Sequence, residues 1–390
     1  MEPTLDPSTV TSLSHSETPM HKSSPEGAYE LMLAIRRAYE ADRPLYPSHD
    51  IARLKRFVND YNAEFSSLNS YQALDYLGNE QWWEFSEEQL QTARLDLSPI
   101  QWLITMPFLC NHPNKTLTRA FSLAPFSSIH QSAEETVLDG FKNNSNIAAI
   151  DDPGHIQRRF VDYRSKWNES KYKVEIDAVL KTAFNRCLDH DYQHITRILV
   201  LGAGALELDI ADHLKNESNN WPSMTKHAFA FDLKSTLEDL SSNSKIELVL
   251  QDPKYTHITK EVIRVQEPTV NLVGDDTLNT ILGVDKHTLL FASNFTAFPL
   301  KQIIAEYATA TPCEQRLPTV IIWEEGIHIT WEDMEKEAIE ESLTNSSTSS
   351  ERKFRDSPRT NRLEQLYDKF DFPTPEKGDP DPRLAIYVRK

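Results

Sequence analysis

Five short apolar runs separated by helical stretches constrain the fold of this chain more than any other feature of its sequence. The runs are Arg197–Gly204, Ile246–Asp252, Thr269–Val273, His287–Ser293 and Pro318–Trp323. Short runs rich in β-branched residues are typical of strands buried on both faces of a sheet. Strands that alternate with helices form a parallel sheet, and right-handed crossovers cover both of its faces. We therefore predict an α/β fold, namely a doubly wound, mostly parallel Rossmann-like sheet.

The part of the chain before this pattern is harder to assign. Residues 1–27 are rich in Ser, Thr and Pro, and we predict a disordered tail because so few apolar side chains cannot offset the entropy of ordering it. Residues 28–155 are predicted to be a helical and irregular region packed on the core, with amphipathic helices at Tyr29–Tyr39 and Asp50–Phe65 and short strands or irregular structure after them. Helical spacing then returns from His155 to Asp189.

The Rossmann-like domain is assigned to residues 156–330, and a C-terminal segment to residues 331–390. That segment is predicted to contain an acidic helix at Trp331–Leu343, a Ser-rich linker and a helix around Asn361–Phe370. Its last apolar run, Leu384–Arg389, is predicted to return to the sheet as an edge strand.

Charge and composition exclude several classes of partner. The 390 residues carry 41 basic and 59 acidic side chains, a formal charge of -18, which repels nucleic acid and anionic membrane surfaces. No apolar run approaches the roughly 18 residues that a membrane span needs, and no secretory signal is evident. Cys110, Cys187 and Cys313 show no C-x-x-C spacing, so we predict reduced thiols. We expect a cytoplasmic or nuclear protein whose partner, a protein or a small molecule, the sequence leaves unknown.

Candidate binding residues lie where the apolar runs end, because ligands of open α/β sheets bind outside the carboxyl ends of the strands. Gly202 and Gly204 follow the first run, and Asp252 ends the second. Glycine allows close approach of a ligand to the backbone, and a carboxylate can hold ribose hydroxyls, so we assign all three as candidate cofactor-binding residues. A purely structural role is equally open: the glycines permit a tight strand exit, and Asp252, before Pro253, caps a turn through backbone N–H groups.

A dinucleotide cofactor is disfavoured at this turn. The dinucleotide fingerprint requires a third glycine where Glu207 stands, and a carboxylate there repels pyrophosphate. The acid expected about 20 residues further on is also misplaced, since Asp252 lies about 50 positions beyond Gly202. S-adenosylmethionine (SAM) contains no phosphate and is better accommodated by a glycine turn and one acid.

Other chemistry-bearing residues give weaker signals. Glu324 and Glu325 follow the fifth run, but neighbouring residues on a strand point to opposite faces, so only one can enter a given pocket and we expect both to be solvated. His227 and His328 lie near the predicted sheet edge, yet the histidines show no metal-ligand spacing, and we predict no metal site and structural roles for both. Signatures of hydrolases, P-loop proteins and kinases are absent from the sequence.

Segments spread over the five runs resemble the sensitivity-to-red-light-reduced-like (SRR-like) domain, especially its fungal members. They are Ile198–Gly204, Gln251–Thr256, Val284–Phe291, Pro299–Ala305 and Val320–Trp323. The Gln-Asp-Pro and Lys-Gln-Ile-Ile stretches are the more distinctive ones. Many members carry a Pro-His-Cys element where this chain has Ser-Asn-Phe-Thr at residues 293–296.

The resemblance implies a regulatory or housekeeping role rather than a defined reaction. Members are linked in different lineages to light and clock signalling, cytoskeletal function and haem metabolism. We therefore expect a regulatory protein that binds a small molecule or a partner protein at the sheet edge, with no assigned catalytic residue and no identified cofactor. The alternative is a SAM-dependent methyltransferase-like enzyme that uses Gly202, Gly204 and Asp252.

Overall fold

The computed structural model describes most of the Rossmann-like region and the rest of the chain in part. The described residues are 33–34, 36–42, 152–189, 195–207, 209, 222–240, 245–274, 277–293, 300–309, 316–325, 330–333, 335–336, 357–373 and 384–390, with the backbone of four short strands. The predicted tail, the helix at Asp50–Phe65, the Ser-rich linker, Cys110, Cys313 and His328 lie outside them.

Two small antiparallel pairs precede the main sheet. Strand β1 (Ser70–Leu74) pairs with β2 (Glu80–Glu84), and β3 (Leu95–Leu97) pairs with β4 (Phe126–Ile129). Residues 36–40 are helical, in line with the helix predicted over this stretch.

A broken helix leads into the sheet. Helix α1 (Pro153–Glu169) begins at Asp152, whose carboxylate accepts from the Gly154 amide, and α2 (Lys171–Asp189) follows after one residue. That residue, Ser170, is extended, and its hydroxyl both donates to the Trp167 carbonyl and accepts from the Lys173 amide. One serine therefore ends the first helix and caps the second, which fixes the angle between them.

The five predicted strands form the parallel centre of a seven-stranded sheet. They are β5 (Arg197–Leu201), β6 (Glu247–Gln251), β7 (Asn271–Val273), β8 (Thr288–Ala292) and β9 (Val320–Glu324). The intervening helices are α3 (Ser223–Leu240), α4 (His257–Gln266), α5 (Thr277–Leu282) and α6 (Leu300–Thr309). Strand β5 pairs in parallel with both β6 and β8, and the order from one edge is β7, β6, β5, β8, β9. The predicted fold class is confirmed.

The C-terminal segment departs from the prediction in two ways. Helix α7 (Pro358–Glu364) is short, and the residues predicted to continue it form strand β10 (Tyr367–Asp371). Strand β11 (Leu384–Arg389) does return to the sheet, but it lies between β9 and β10 and is antiparallel to both. The edge assignment was therefore wrong: β10 covers β11 and takes the edge of the sheet. The polar residues of β10 (Asp368, Lys369 and Asp371) do not alternate with apolar ones, so the sequence shows no strand pattern there.

Both faces of the sheet are covered. In β5, Ile198 and Val200 belong to one large core cluster, while Leu199 and Leu201 are equally buried but outside that cluster, as the alternation of side chains along a strand requires. Helix α3 packs on the first face, where the Phe229 ring meets Phe291 of β8 edge to face at 5.1 Å. Burial of each such side chain contributes about 1.5–3 kcal/mol. The packing holds the strand ends, and hence the rim they form, in fixed register.

Candidate functional site

The candidate site lies where the sheet changes winding direction. The chain proceeds from β5 outward through β6 to β7 and then crosses back to β8 on the other side of β5, so the crevice outside the β5 and β8 ends is the switch point of the fold. Gly202, Asp252 and Ser293 each follow directly on the strand before them. The structure therefore brings the predicted residues to one rim.

The turn after β5 requires its glycines. Gly202 has φ 74° and Gly204 has φ 79°, both in the left-handed region that residues with a Cβ avoid. The Gly202 amide donates to the carbonyl of Gln251 at the end of β6, which fixes where the turn starts. The two glycines thus let the chain leave the sheet sharply while keeping it against the neighbouring strand.

Asp252 holds this turn in place. One of its carboxylate oxygens accepts from the Gly204 amide at 2.7 Å, and the other accepts from the Lys254 amide at 2.7 Å. The carboxyl group is buried; burial raises its pKa, and these two hydrogen bonds oppose the rise. The structural role considered for Asp252 is therefore present. Each carboxylate oxygen can accept a second hydrogen bond, so the same group retains capacity for ligand hydroxyls.

Glu207 forms a second connection between the segments that follow β5 and β6. Here the carboxylate belongs to the segment after β5, whereas the Asp252 carboxylate belongs to the segment after β6. Its buried carboxylate accepts from the hydroxyls of Thr256 and Thr259 in the first turn of α4. The Thr259 hydroxyl in turn accepts from the Leu206 amide at 2.9 Å. The residue that replaces the third glycine of a dinucleotide fingerprint therefore fastens the glycine turn to the next helix.

A third carboxylate, that of Asp209, accepts hydrogen bonds at the start of α3. Asp209 accepts from the Ser223 amide at 2.8 Å and from the Met224 amide at 2.6 Å, in the first turn of α3. An internal acid therefore satisfies two of the free amides at the start of α3.

Lys226 reaches the switch point from α3. Its Nζ donates to the carbonyl of Gly202 at 3.1 Å and to the carbonyl of Ser293 at 3.3 Å, bridging the ends of β5 and β8. The side chain is buried, with 7% of the residue exposed. Burial lowers the pKa of Lys226, although the carboxylates of Asp252 and Asp209 favour its charged form.

His227 is a core residue, as predicted. It is fully buried, with Nδ1 2.6 Å from the Ser223 carbonyl and Nε2 3.0 Å from the Tyr255 hydroxyl. Because a carbonyl can only accept, Nδ1 carries the proton and the Tyr255 hydroxyl donates to Nε2. Burial lowers the pKa of His227 to about 4, so the ring is neutral at physiological pH.

The other residues considered from the sequence, Glu324, Glu325 and Cys187, make no contact with the glycine turn or Asp252 among the hydrogen bonds described above. Glu325 is exposed and pairs with Lys369, whereas Glu324 is only half-buried and contributes to the field at Lys226. Cys187 is buried and unbridged, and burial raises the pKa of its thiol to about 11. Within the described residues, no cluster of His, Cys, Asp or Glu has the arrangement of a metal site. A search of the same residues for a helix long and apolar enough to cross a membrane finds none.

Sequence reasoning missed Lys226 and Asp209 as members of the site. Lys226 was not singled out, although a lone lysine before the apolar stretch Ala228–Phe231 was a usable signal. Asp209 and α3 are separated by a polar segment of the sequence, and nothing local connects them. Ser293 ends the fourth apolar run, so its place at the rim was predicted, but its side chain was given no role.

Comparison with known proteins adds no family. No family model matches the chain, and no curated protein matches it. Among solved structures, the chain is similar to "PigF with SAH" (12% identity, TM-score 0.27, covering 93% of this chain and 95% of that chain). It is also similar to human N-acetylserotonin methyltransferase (ASMT) in complex with SAM (12% identity, TM-score 0.28, covering 95% of this chain and 99% of that chain). At these TM-scores no residue of either structure is matched to a residue of this chain.

Proposed function

We propose that this chain binds SAM at the carboxyl rim of its sheet and acts as a methyltransferase-like enzyme. The carrying observation is the Gly202–Gly204 turn, held against the end of β6 by the buried Asp252 carboxylate. The turn brings backbone close to a ligand, and Asp252 keeps acceptor capacity for two ribose hydroxyls. When bound, SAM supplies an activated methyl group; the chain's residues hold and orient the cofactor.

The charges at the rim favour this cofactor over a nucleotide phosphate. The carboxylates of Asp252, Asp209 and Glu324 each favour the charged form of Lys226, and the exposed Lys254 opposes it. Three carboxylates and two ammonium groups therefore act at this end of the sheet, and a phosphate would add to the negative charge. SAM carries a sulfonium and an ammonium against one carboxylate, so its net positive charge is complementary.

The sheet order supports the same proposal at the level of fold. A final strand, antiparallel and inserted between the fifth parallel strand and the edge strand, is the arrangement of the Rossmann-like methyltransferase fold, and β11 holds that position here. Fold alone does not determine function, so the residues at the rim carry the proposal.

Isothermal titration of the full chain with SAM, S-adenosylhomocysteine (SAH) and NAD tests the proposal. We expect SAM and SAH to bind and NAD not to bind. Asp252→Asn should weaken SAH binding about 10- to 100-fold, the effect of losing hydrogen bonds to a charged group. The matched control is Asp285→Asn. Asp285 makes a similar turn, accepting from the His287 amide and the Thr288 hydroxyl, at the opposite end of β8.

Two outcomes would count against the proposal. Absence of SAM and SAH binding by a folded wild-type chain would remove the cofactor. Equal affinity of the Asp252 and Asp285 variants would remove Asp252 from the site, leaving it the structural role alone.

We also propose that the chain belongs to the SRR-like family, on the strength of the Gln251–Thr256 segment and the glycine turn, which meet at one rim. Homologues of that family aligning both segments in register would support the assignment, whereas an alignment that separates them would oppose it. The predicted regulatory role and the predicted compartment stay predictions, since no contact among the described residues bears on either.

A further inference from the structure

Lys226 is a buried cation without an ion pair in the described part of the chain. No described carboxylate lies within 4.0 Å of its Nζ, and both of its acceptors there are backbone carbonyls. Buried ammonium groups are ordinarily paired, because removing the charge from water is costly. An ammonium has three N–H donors, so one donor is left over after the two carbonyls among the described residues.

A second buried group at the same point also lacks a partner. The Ser293 hydroxyl is buried, with 1% of the residue exposed, and no described residue bonds to it. Its own carbonyl is one of the two acceptors of Lys226. The Ser293 hydroxyl and the third N–H of Lys226 therefore lie at the same switch point. Neither has an acceptor among the described residues.

The position of this pair relative to Asp252 suggests which part of a ligand it meets. Lys226 is anchored on Gly202 and Asp252 on Gly204, and these two glycines of one turn lie at most about 7 Å apart. In SAM a short chain through the sulfur joins the ribose to an α-amino acid end. A ligand that places its ribose on Asp252 has its amino acid end within reach of Lys226.

We propose that Lys226 and Ser293 form a recognition site for the α-carboxylate of the amino acid end of SAM. The proposal rests on the proposed function. A zwitterionic amino acid end suits the mixed charges of the rim: its carboxylate meets Lys226, and its ammonium is attracted by the carboxylates that act on that lysine. A phosphate offers no such positive group, so the neighbouring acids oppose it.

The test compares SAH with 5′-methylthioadenosine, which has the same nucleoside and sulfur but no amino acid end. Titration of the full wild-type chain should give SAH about 10- to 100-fold tighter binding, the value of a charge-assisted hydrogen bond. Lys226→Met should remove that advantage and leave 5′-methylthioadenosine binding unchanged. Ser293→Ala should weaken SAH binding about 2- to 10-fold.

Lys254→Met is the matched control, because Lys254 is an exposed lysine on the same rim. If it weakens SAH as much as Lys226→Met does, general electrostatics and not recognition explains the effect, and the inference is overturned. Equal losses for SAH and 5′-methylthioadenosine in Lys226→Met would also overturn it, while the proposed function stands. Lys226-dependent binding of AMP tighter than that of SAH would assign the site to phosphate. If the wild-type chain binds neither SAH nor 5′-methylthioadenosine, the proposed function and this inference are both overturned.

Discussion

Two buried cations of this chain stand in opposite surroundings. Arg359, at the start of α7, donates to the Glu306 carboxylate at 2.9 Å and to the Tyr39 carbonyl at 2.8 Å, and its guanidinium lies 4.0 Å from the centre of the Tyr39 ring. Lys226 has two backbone carbonyls and no described carboxylate within ion-pair distance. Both side chains are almost fully buried.

The difference indicates what each cation does. The Arg359 cluster joins the helical residues 36–40 to α6 and α7, and its charge is compensated within the protein, as expected of a structural ion pair. The Lys226 charge is not compensated in that way, and it lies at the rim where ligands of such sheets bind. A buried charge without an ion pair at that rim supports the proposed binding role of Lys226.

Removal of Arg359 should have the largest effect on stability. Arg359→Met leaves the buried Glu306 carboxylate without its partner and should lower the free energy of unfolding by about 3–5 kcal/mol. Urea denaturation measures the change. Arg362→Met is the control, because the Arg362–Asp42 pair is half-exposed and should be worth less than about 1 kcal/mol. Similar losses in the two variants would break the contrast between a structural and a surface pair.

Low pH should destabilise the fold through His227, because its buried ring is stabilised only in the neutral form. Its pKa is about 4 in the folded chain against an ordinary 6.5. Between these values the unfolded chain binds a proton that the folded chain does not, so the stability present above pH 6.5 is lost as pH falls toward 4, by on the order of 3 kcal/mol. His227→Gln should lessen this slope in unfolding titrations at several pH values. An unchanged slope would mean that other groups control the acid response.

The backbone of the glycine turn should also differ in its tolerance of substitution from the rest of the sheet edge. Gly204→Ala forces a Cβ into the left-handed region and should cost about 1–2 kcal/mol of stability. Gly274→Ala is the control, because an added Cβ there meets only the Lys260 amino group at 3.8 Å and the φ is ordinary. Thermal unfolding of both variants measures the difference, and an equal shift in Tm would show that the turn does not demand glycine.

Removal of Lys226 should have the smallest effect on stability and the opposite sign. Lys226→Met takes away a buried charge that has no ion pair among the described residues and should raise the free energy of unfolding of the ligand-free chain by between 0 and about 2 kcal/mol. The Lys226 pKa is depressed, so its penalty applies at lower pH and fades as pH rises toward the ordinary 10.5. The gain should therefore shrink at high pH. A loss comparable to that of Arg359→Met would make Lys226 a structural residue.

The sequence was sufficient to predict the elements of the fold that show in the spacing of apolar residues. Five apolar runs predicted the parallel strands, and Gly202, Gly204 and Asp252 were placed at one rim because parallel strands end at the same edge. Strand β10 was missed because its adjacent polar residues Asp368 and Lys369 interrupt the two-residue period of a strand. At the edge of the sheet, with one neighbouring strand, it can keep such residues.

The missed site residues share a physical cause. Asp209 and Lys226 act across the fold, on α3 amides and on strand-end carbonyls, and no local pattern encodes contacts of that range. The ties of Glu207 to Thr256 and Thr259 are equally non-local, so sequence reasoning recognised the carboxylate as hostile to phosphate but not what it binds.

A crystal structure of the full chain with SAH bound would show whether the ligand occupies this rim. We expect the ribose hydroxyls to donate to the Asp252 carboxylate and the ligand carboxylate to accept from Lys226 Nζ, at the ends of β6, β5 and β8. SAH bound at another edge of the sheet, or bound here with its carboxylate in solvent and Lys226 still on the two carbonyls alone, would contradict this expectation.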